Sequence, residues 1–231
     1  MARRAALIIL AGFAISAGFA EAEGDKGGAE LTYFGRSTVK IRTASGFVVY
    51  VDPYANGDYS EAADLVLVTH GHSDHNVVRL TTRKTEAAIV APVGAVRGFP
   101  MTSIKEGEEK TFGPVTVRAL PAANGNHSRG SGFGYLISFD GIVVYHAGDT
   151  SYVPEMEGMK ELGIGWALLP CDGFFNMGSE EASRVATAIG AKRVVPIHSA
   201  GTGNFNAANA RAVASPETIV LEPGKSLRLV P

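Results

Sequence analysis

Apolar and polar residues alternate from Leu31 to Val51 around a break at Ala44-Ser45-Gly46, the pattern of two antiparallel strands that each bury one face. Asp64–Thr69 is instead almost wholly apolar. That suits a strand covered on both faces, and it delivers the chain directly into His70-Gly71-His72. Ala87–Ala91, Thr111–Leu120 and Gly132–Tyr145 predict further strands, the last of them a hairpin turning at Asp140-Gly141. Past residue 150 helix and strand patterns interleave. Pro154–Leu162 predicts a short helix and Trp166–Leu169 a buried strand. Ser179–Ile189 predicts a helix with Ser179 as N-cap, Glu180 and Glu181 in the first turn where the helix dipole favours negative charge, and Gly190 at the end. Val194–Ile197 reads as a strand leading into His198, Asn204–Val213 as a helix, and Thr218–Leu221 with Ser226–Val230 as a closing hairpin. The sum is an α/β (α+β) chain in four layers, αββα, with two central sheets flanked by helices.

Residues 1–22 break from this pattern. Arg3 and Arg4 precede an apolar run from Ala5 to Ala20, and Ala20-Glu21-Ala22 has the small-x-small form that a signal peptidase accepts. The expectation is a signal peptide cleaved after Ala22, a periplasmic or secreted product, and no stable membrane insertion once the leader is gone. Residues 23–231 then form one domain of a size that buries a substantial core. Loss of the leader removes two positive charges and one negative, moving the formal net charge from -2 to -3. With no Lys/Arg cluster along the chain, no nucleic-acid partner is expected, and a small-molecule substrate is. The oligomeric state is not encoded in any pattern here. A single cysteine, Cys171, rules out an intrachain disulfide and reads as a small buried apolar residue.

The candidate chemistry lies in Thr69-His70-Gly71-His72-Ser73-Asp74-His75. In an extended segment residues two apart face the same way, so His70 and His72 can grip one cation while Asp74 and His75 turn toward a second. The six histidines stand at 70, 72, 75, 127, 146 and 198, so few others remain to complete such a site. His127 lies in a loop rich in glycine and asparagine, and His198 follows a buried strand, both places where a scaffold presents functional side chains. Asp149, in His146-Ala147-Gly148-Asp149-Thr150, also follows a strand; its carboxylate can bridge two ions, with Gly148 permitting close backbone approach. His146 reads as a residue that orients a ligand rather than as a ligand. Asp52, in Val51-Asp52-Pro53, either accepts a hydrogen bond from a ligand imidazole or only caps a strand.

These segments, with His127-Ser128, Met177-Gly178, Glu181-Ala182 and Pro196-Ile197-His198, occur in an order that resembles the metallo-β-lactamase superfamily. Within it the chain is similar to the lactonase-like metal-dependent hydrolases related to ribonuclease Z. The resemblance implies a four-layer αββα sandwich of the metallo-β-lactamase type. It also implies one metal on His70, His72 and His127, a second on Asp74, His75 and His198, and Asp149 between them. Cys171 and the Asp172-Gly173-Phe174-Phe175 segment depart from the family pattern, as does the leader. The implied cofactors are two divalent ions, with zinc favoured by histidine ligation and manganese, iron or nickel as alternatives. The expected activity is hydrolysis of an ester, lactone or phosphodiester of a small molecule by a hydroxide shared between the ions, with Asp74 as the catalytic residue that positions it or moves a proton. A secreted β-lactamase-type amide hydrolase and a non-catalytic metal- or partner-binding module are the alternatives.

Overall fold

The computed structural model describes residues 28–231, so the expected leader lies outside the described residues. Strand β1 (Ala29–Gly35) turns at Arg36-Ser37 into β2 (Thr38–Arg42), which turns again into β3 (Val48–Val51). The sequence pattern predicted two strands here and the chain makes three. The extra reversal uses left-handed backbone at Gly35 (φ 117°) and Arg36 (φ 51°) and so lacks the Asn-Gly or Asp-Gly signature of a tight hairpin. Strands β4 (Ala63–Leu67), β5 (Arg83–Ala91) and β6 (Thr102–Ser103) then add in parallel beside β3.

The second sheet begins with β7 (Glu109–Phe112) and β8 (Val115–Pro121), two strands where one was expected over Thr111–Leu120, because Gly113-Pro114 turns the chain. The predicted hairpin follows as β9 (Phe133–Phe139) and β10 (Ile142–His146), and β11 (Trp166–Pro170) and β12 (Arg193–Ile197) extend the sheet in parallel. Between β10 and β11, Pro154–Leu162 is helical as predicted but wound as a 3-10 helix. Helix α1 (Ser179–Ala188) is capped by Gly178 rather than Ser179; the Ser179 hydroxyl instead donates to the Asn209 carbonyl at 2.8 Å. That bond ties α1 to α2 (Ala207–Arg211), which is shorter than predicted because Asn206 caps it, accepting from the Ala208 and Asn209 amides. The final strand β13 (Lys225–Leu229) pairs with β1, and Thr218 only bridges Val194, so the predicted closing hairpin does not form.

The sheet orders are β13-β1-β2-β3-β4-β5-β6 and β12-β11-β10-β9-β8-β7. Their inner faces meet in a core that includes Leu31, Val39, Leu65, Val117, Ile137, Val144 and Val195. On the outer face of the second sheet, Tyr145 and Leu169 pack under Met156 and Met159 of the 3-10 helix and Val185 and Ile189 of the α1 region. Among the described residues the outer face of the first sheet is covered by the Pro53–Ser60 loop and the turn at Val78–Leu80, with Tyr50 and Phe34 buried beneath Tyr59. The result is the expected α/β sandwich of two central sheets; among the described residues its longer helices cover the second sheet, and only the short 3-10 helix Val78–Leu80 lies on the first. No helix among the described residues is long and apolar enough to cross a membrane.

Strand direction places the chemistry. Strands β1, β3 and β4 run the same way in the first sheet, and β8, β10, β11 and β12 do so in the second. Their C-terminal ends are followed by Arg36, Asp52, His70, His127, Asp149, Asp172 and His198 respectively. Loops after strand C-termini are the usual place for a site in a sheet with parallel strands. The two sheets touch at this end, where the Phe133 amide donates to the Thr69 carbonyl at 2.9 Å. Gly148 (φ 63°) sits against Thr69 here; a Cβ would lie 3.0 Å from the Thr69 Cβ, so the expected need for glycine is met.

Candidate metal centre

Asp52 organises the inner wall. It stands at the end of β3 with left-handed backbone (φ 48°), which Asp tolerates better than most residues, and its side chain is fully buried. Its carboxylate accepts from the Thr69 amide and hydroxyl, each at 2.7 Å, and lies 2.8 Å from His75 Nδ1. Because the Thr69 hydroxyl gives its proton to Asp52, its oxygen is left to accept from His70 Nδ1 at 3.0 Å. One carboxylate therefore orients two imidazoles, turning His70 Nε2 and His75 Nε2 toward the centre. Of the two sequence readings of Asp52, the orienting one is what the structure shows.

Further along the inner wall, Asp172 backs His198 in a similar way. Its Oδ2 lies 2.9 Å from His198 Nδ1, a charge contact somewhat off the line of an ideal hydrogen bond. His198 Nε2 then sits 3.5 Å from Asp149 Oδ2 and 3.7 Å from Asp74 Oδ2, while His75 Nε2 is 3.4 Å from Asp149 Oδ1 and 3.7 Å from Asp74 Oδ1. On the outer side His70 Nε2 and His72 Nδ1 are 3.0 Å apart, and the His127 ring lies against both. All seven residues singled out from sequence thus fall into three overlapping groups: His70, His72 and His127; His70, His75 and Asp149; and Asp74, His75 and His198.

The arrangement fits divalent cations on two independent grounds. Ligand atoms bound to one tetrahedral zinc at about 2.0–2.1 Å stand about 3.4 Å apart, close to the 3.0–3.7 Å between the pairs given above, and all ligand atoms of each group lie within 4.8 Å of one another. Moreover, His75 Nε2, both nitrogens of His127 and Asp149 Oδ1 are buried without a hydrogen-bond partner among the described residues. Orphaned polar atoms of this kind are costly and call for a partner.

The protonation balance divides the centre. Burial pushes the His70 imidazole down to about 2, and burial likewise lowers His127. Burial also opposes charge on His75 and His198, yet carboxylates outweigh it: Asp149 and Asp52 hold His75 well above its ordinary value, and Asp172 and Asp74 raise His198 to about 9. Asp149 and Asp74 are themselves buried, which disfavours their charge, but the neighbouring imidazoles hold both below the usual carboxylate range. In the metal-free protein, protons stand where cations would.

His146, as expected, is not part of the cluster; its Nε2 lies 2.8 Å from the Ser37 carbonyl and its Nδ1 accepts from the Gly148 amide. Cys171 is buried, with its thiol pushed up to about 12 by burial, and it points to the Ile197 carbonyl. The sequence reading missed Asp172, although the signal was there: like Asp149, it is an acid just beyond a buried strand and next to a glycine. It also missed Arg36, whose guanidinium enters the site from the β1–β2 turn, a turn the apolar pattern did not reveal.

Comparison with known proteins agrees with this geometry. The family model described as "Beta-lactamase superfamily domain" matches residues 30–198. A UPF0173 metal-dependent hydrolase from Methanoregula boonei is 33% identical over 221 residues, covering 87% of this chain and 98% of the relative. Another, from Pyrococcus furiosus, is 30% identical over 233 residues, covering 87% and 99%. Among solved structures, Igni18, a metallo hydrolase from Ignicoccus hospitalis, superposes with a TM-score of 0.71 at 25% identity, covering 88% of this chain and 99% of that one. A sandwich with buried imidazole nitrogens that have no hydrogen-bond partner among the described residues, set beyond its strand ends and matched by that family model and those relatives, belongs to the metallo-β-lactamase superfamily, and the chain is a metal-dependent hydrolase.

Proposed function

We propose that the protein holds two divalent cations, most compatible with zinc, and hydrolyses an ester, lactone or phosphodiester of a small molecule. The observation that carries this reading is the set of three overlapping ligand groups built around unpartnered buried nitrogens. His70, His72 and His127 would hold one cation, Asp74, His75 and His198 the other, and Asp149, facing both groups, would lie between them. Cations so held would lower the pKa of water from about 15.7 toward about 7 and polarise the electrophilic oxygen. Asp52 and Asp172 keep the ligand imidazoles in the tautomer that presents Nε2 to the centre. Asp74, about a quarter exposed at the cavity floor, is placed to take the proton of the attacking water at Oδ2 and return it to the leaving oxygen. Water adds to the carbonyl or phosphoryl centre, the bond to the leaving oxygen breaks, and an acid and an alcohol result. No side-chain nucleophile is required, and the buried Cys171 thiol is unsuited to be one.

Elemental analysis of the purified mature protein should find about two metal ions per chain. Asp149→Ala and His198→Ala should each lower that number and abolish turnover across a panel of esters, lactones, amides and phosphodiesters. Full activity in both variants would refute the assignment. From the leader-like pattern of residues 1–22 we further infer that the enzyme works in the periplasm or outside the cell; N-terminal sequencing of the protein from that compartment should then begin at Glu23.

A further inference from the structure

We infer that Arg36 is a binding residue for the substrate, and that the substrate carries an anionic group, a carboxylate or a phosphate, next to its scissile bond. This rests on the hydrolase reading above and extends it to substrate class.

A cavity of about 570 Å³ opens over the centre, lined by Asp74, His127, Asp149 and His198 and walled by Tyr54 and Phe175. Arg36 is the only lysine or arginine that lines it among the described residues. Its guanidinium is mostly buried, with a side-chain exposure of 12%, and its Nε has no hydrogen-bond partner among the described residues. The nearest carboxylate oxygen, Asp74 Oδ2, is 3.7 Å from that Nε, beyond hydrogen-bond reach. Nη1 is anchored on the Ala200 carbonyl at 2.9 Å and lies 3.4 Å from His198 Nε2. Asp74 and His198 would be the ligands of a bound cation, which would leave Arg36 Nε free to donate to a further oxyanion. Beside its long ion pair to Asp74 this guanidinium keeps an unsatisfied N–H that an added anion would complete, and arginine is the side chain best matched to oxyanions.

The backbone shows that this placement is enforced. Arg36 (φ 51°) and His198 (φ 38°) both hold left-handed conformations uncommon outside glycine. They are joined: the His198 amide donates to the Arg36 carbonyl at 2.7 Å, the Tyr33 hydroxyl donates to the same oxygen at 3.0 Å, and the Arg36 amide donates to the Asn204 carbonyl at 2.8 Å. Strain that the surroundings over-determine is a mark of functional positions. Here it fixes the cationic head against the hydrolytic cluster.

The test uses metal-loaded protein, Arg36→Gln and Arg36→Lys. Three chromogenic substrates separate the arms: 4-nitrophenyl butyrate is neutral, mono-4-nitrophenyl glutarate carries a carboxylate, and bis(4-nitrophenyl) phosphate carries its charge on the reacting phosphorus. Calorimetric binding of glutarate and of inorganic phosphate gives a readout independent of turnover. Arg36→Gln should keep its metal, lower kcat/KM for one of the two anionic substrates about tenfold to hundredfold, weaken the matching anion by a similar factor, and change the neutral ester less than about threefold. Arg36→Lys should fall between. The arm that responds tells carboxylate from phosphate. Equal losses on charged and neutral substrates, loss of bound metal, or unchanged anion binding would each overturn the inference, the first two by showing that Arg36 only positions Asp74 and His198. If no substrate is turned over yet anion binding depends on Arg36, the inference stands and the proposed hydrolysis of these substrates fails instead.

Discussion

The inner and outer walls of the centre are built differently. Inside, His75 and His198 are buried and each is backed by a carboxylate that is itself buried, Asp52 or Asp172, at the end of a strand. Outside, His72 is exposed, His127 rides on a loop, and neither His127 nitrogen has a hydrogen-bond partner among the described residues. The inner side chains are therefore oriented by the fold itself, and the outer ones would gain their last contacts from a cation. The difference implies that stability, proton release and metal affinity should respond to the two walls separately.

The largest effect should come from Asp52→Ala. It strands three buried donors, the Thr69 amide, the Thr69 hydroxyl and the His75 imidazole N–H, and it loosens the tautomers of His70 and His75 together. Denaturant unfolding of the metal-free protein should show a loss of about 3 kcal/mol or more. Metal titration should show affinity at the inner group weakened by about a hundredfold. His127→Ala is the counterpart: it should remove binding at the outer group while metal-free stability stays within about 0.5 kcal/mol. Equal destabilisation by both variants would erase the distinction between the walls.

Acid separates the walls next. In the metal-free protein the His198 imidazole, raised to about 9 by Asp172 and Asp74 against the opposing effect of burial, carries a proton at neutral pH, as does His75, and a cation must displace those protons. Apparent affinity at the inner group should therefore rise with pH, by about tenfold per unit for each proton released, and the share of that slope due to His198 should fade above about pH 9. His70 and His127 are lowered by burial and already neutral, so they add no such slope. Calorimetry in buffers of different ionisation enthalpy would count the protons, and a first-bound metal that releases none would contradict the assignment of the inner group as the proton-bearing one.

How far the sequence carried this picture follows the same division. The His70–His75 segment was legible because its ligands are local, and a run of period-two chemistry after a buried strand needs no knowledge of topology. His127, Asp149 and His198 were legible as isolated residues beyond strand ends, yet only the pairing of β10, β11 and β12 brings two of them together. Asp172 went unseen because its role depends on the register that sets Pro170 beside Ile197, one step before His198. Arg36 went unseen because its turn is encoded in backbone strain rather than in turn residues. The wrong closing hairpin has a like cause: Ser226–Val230 had the right alternation, but its partner, β1, lies at the other end of the chain.

The smallest and sharpest effect concerns how the outer wall is held at all. Arg129, two residues beyond His127, reaches both oxygens of Glu106 with Nε and Nη2 and meets Glu155 with Nη1, so one side chain staples the His127 loop to two other segments. Asn126 adds a bond to the Phe175 carbonyl at 3.1 Å, and the Asn124 side chain accepts from the Asn126 and His127 amides. Because the Arg129 staple is solvent-exposed, salt should screen it, whereas the buried contacts of the inner wall should be little affected. Arg129→Ala should weaken metal binding at the outer group by about threefold at low ionic strength and leave the inner group unchanged. In the wild type the same weakening should appear on adding salt, and in the variant it should be absent, because the contact that salt screens is already gone. A variant whose outer affinity still fell with salt would place the restraint on His127 in the asparagine contacts rather than in the ion pairs.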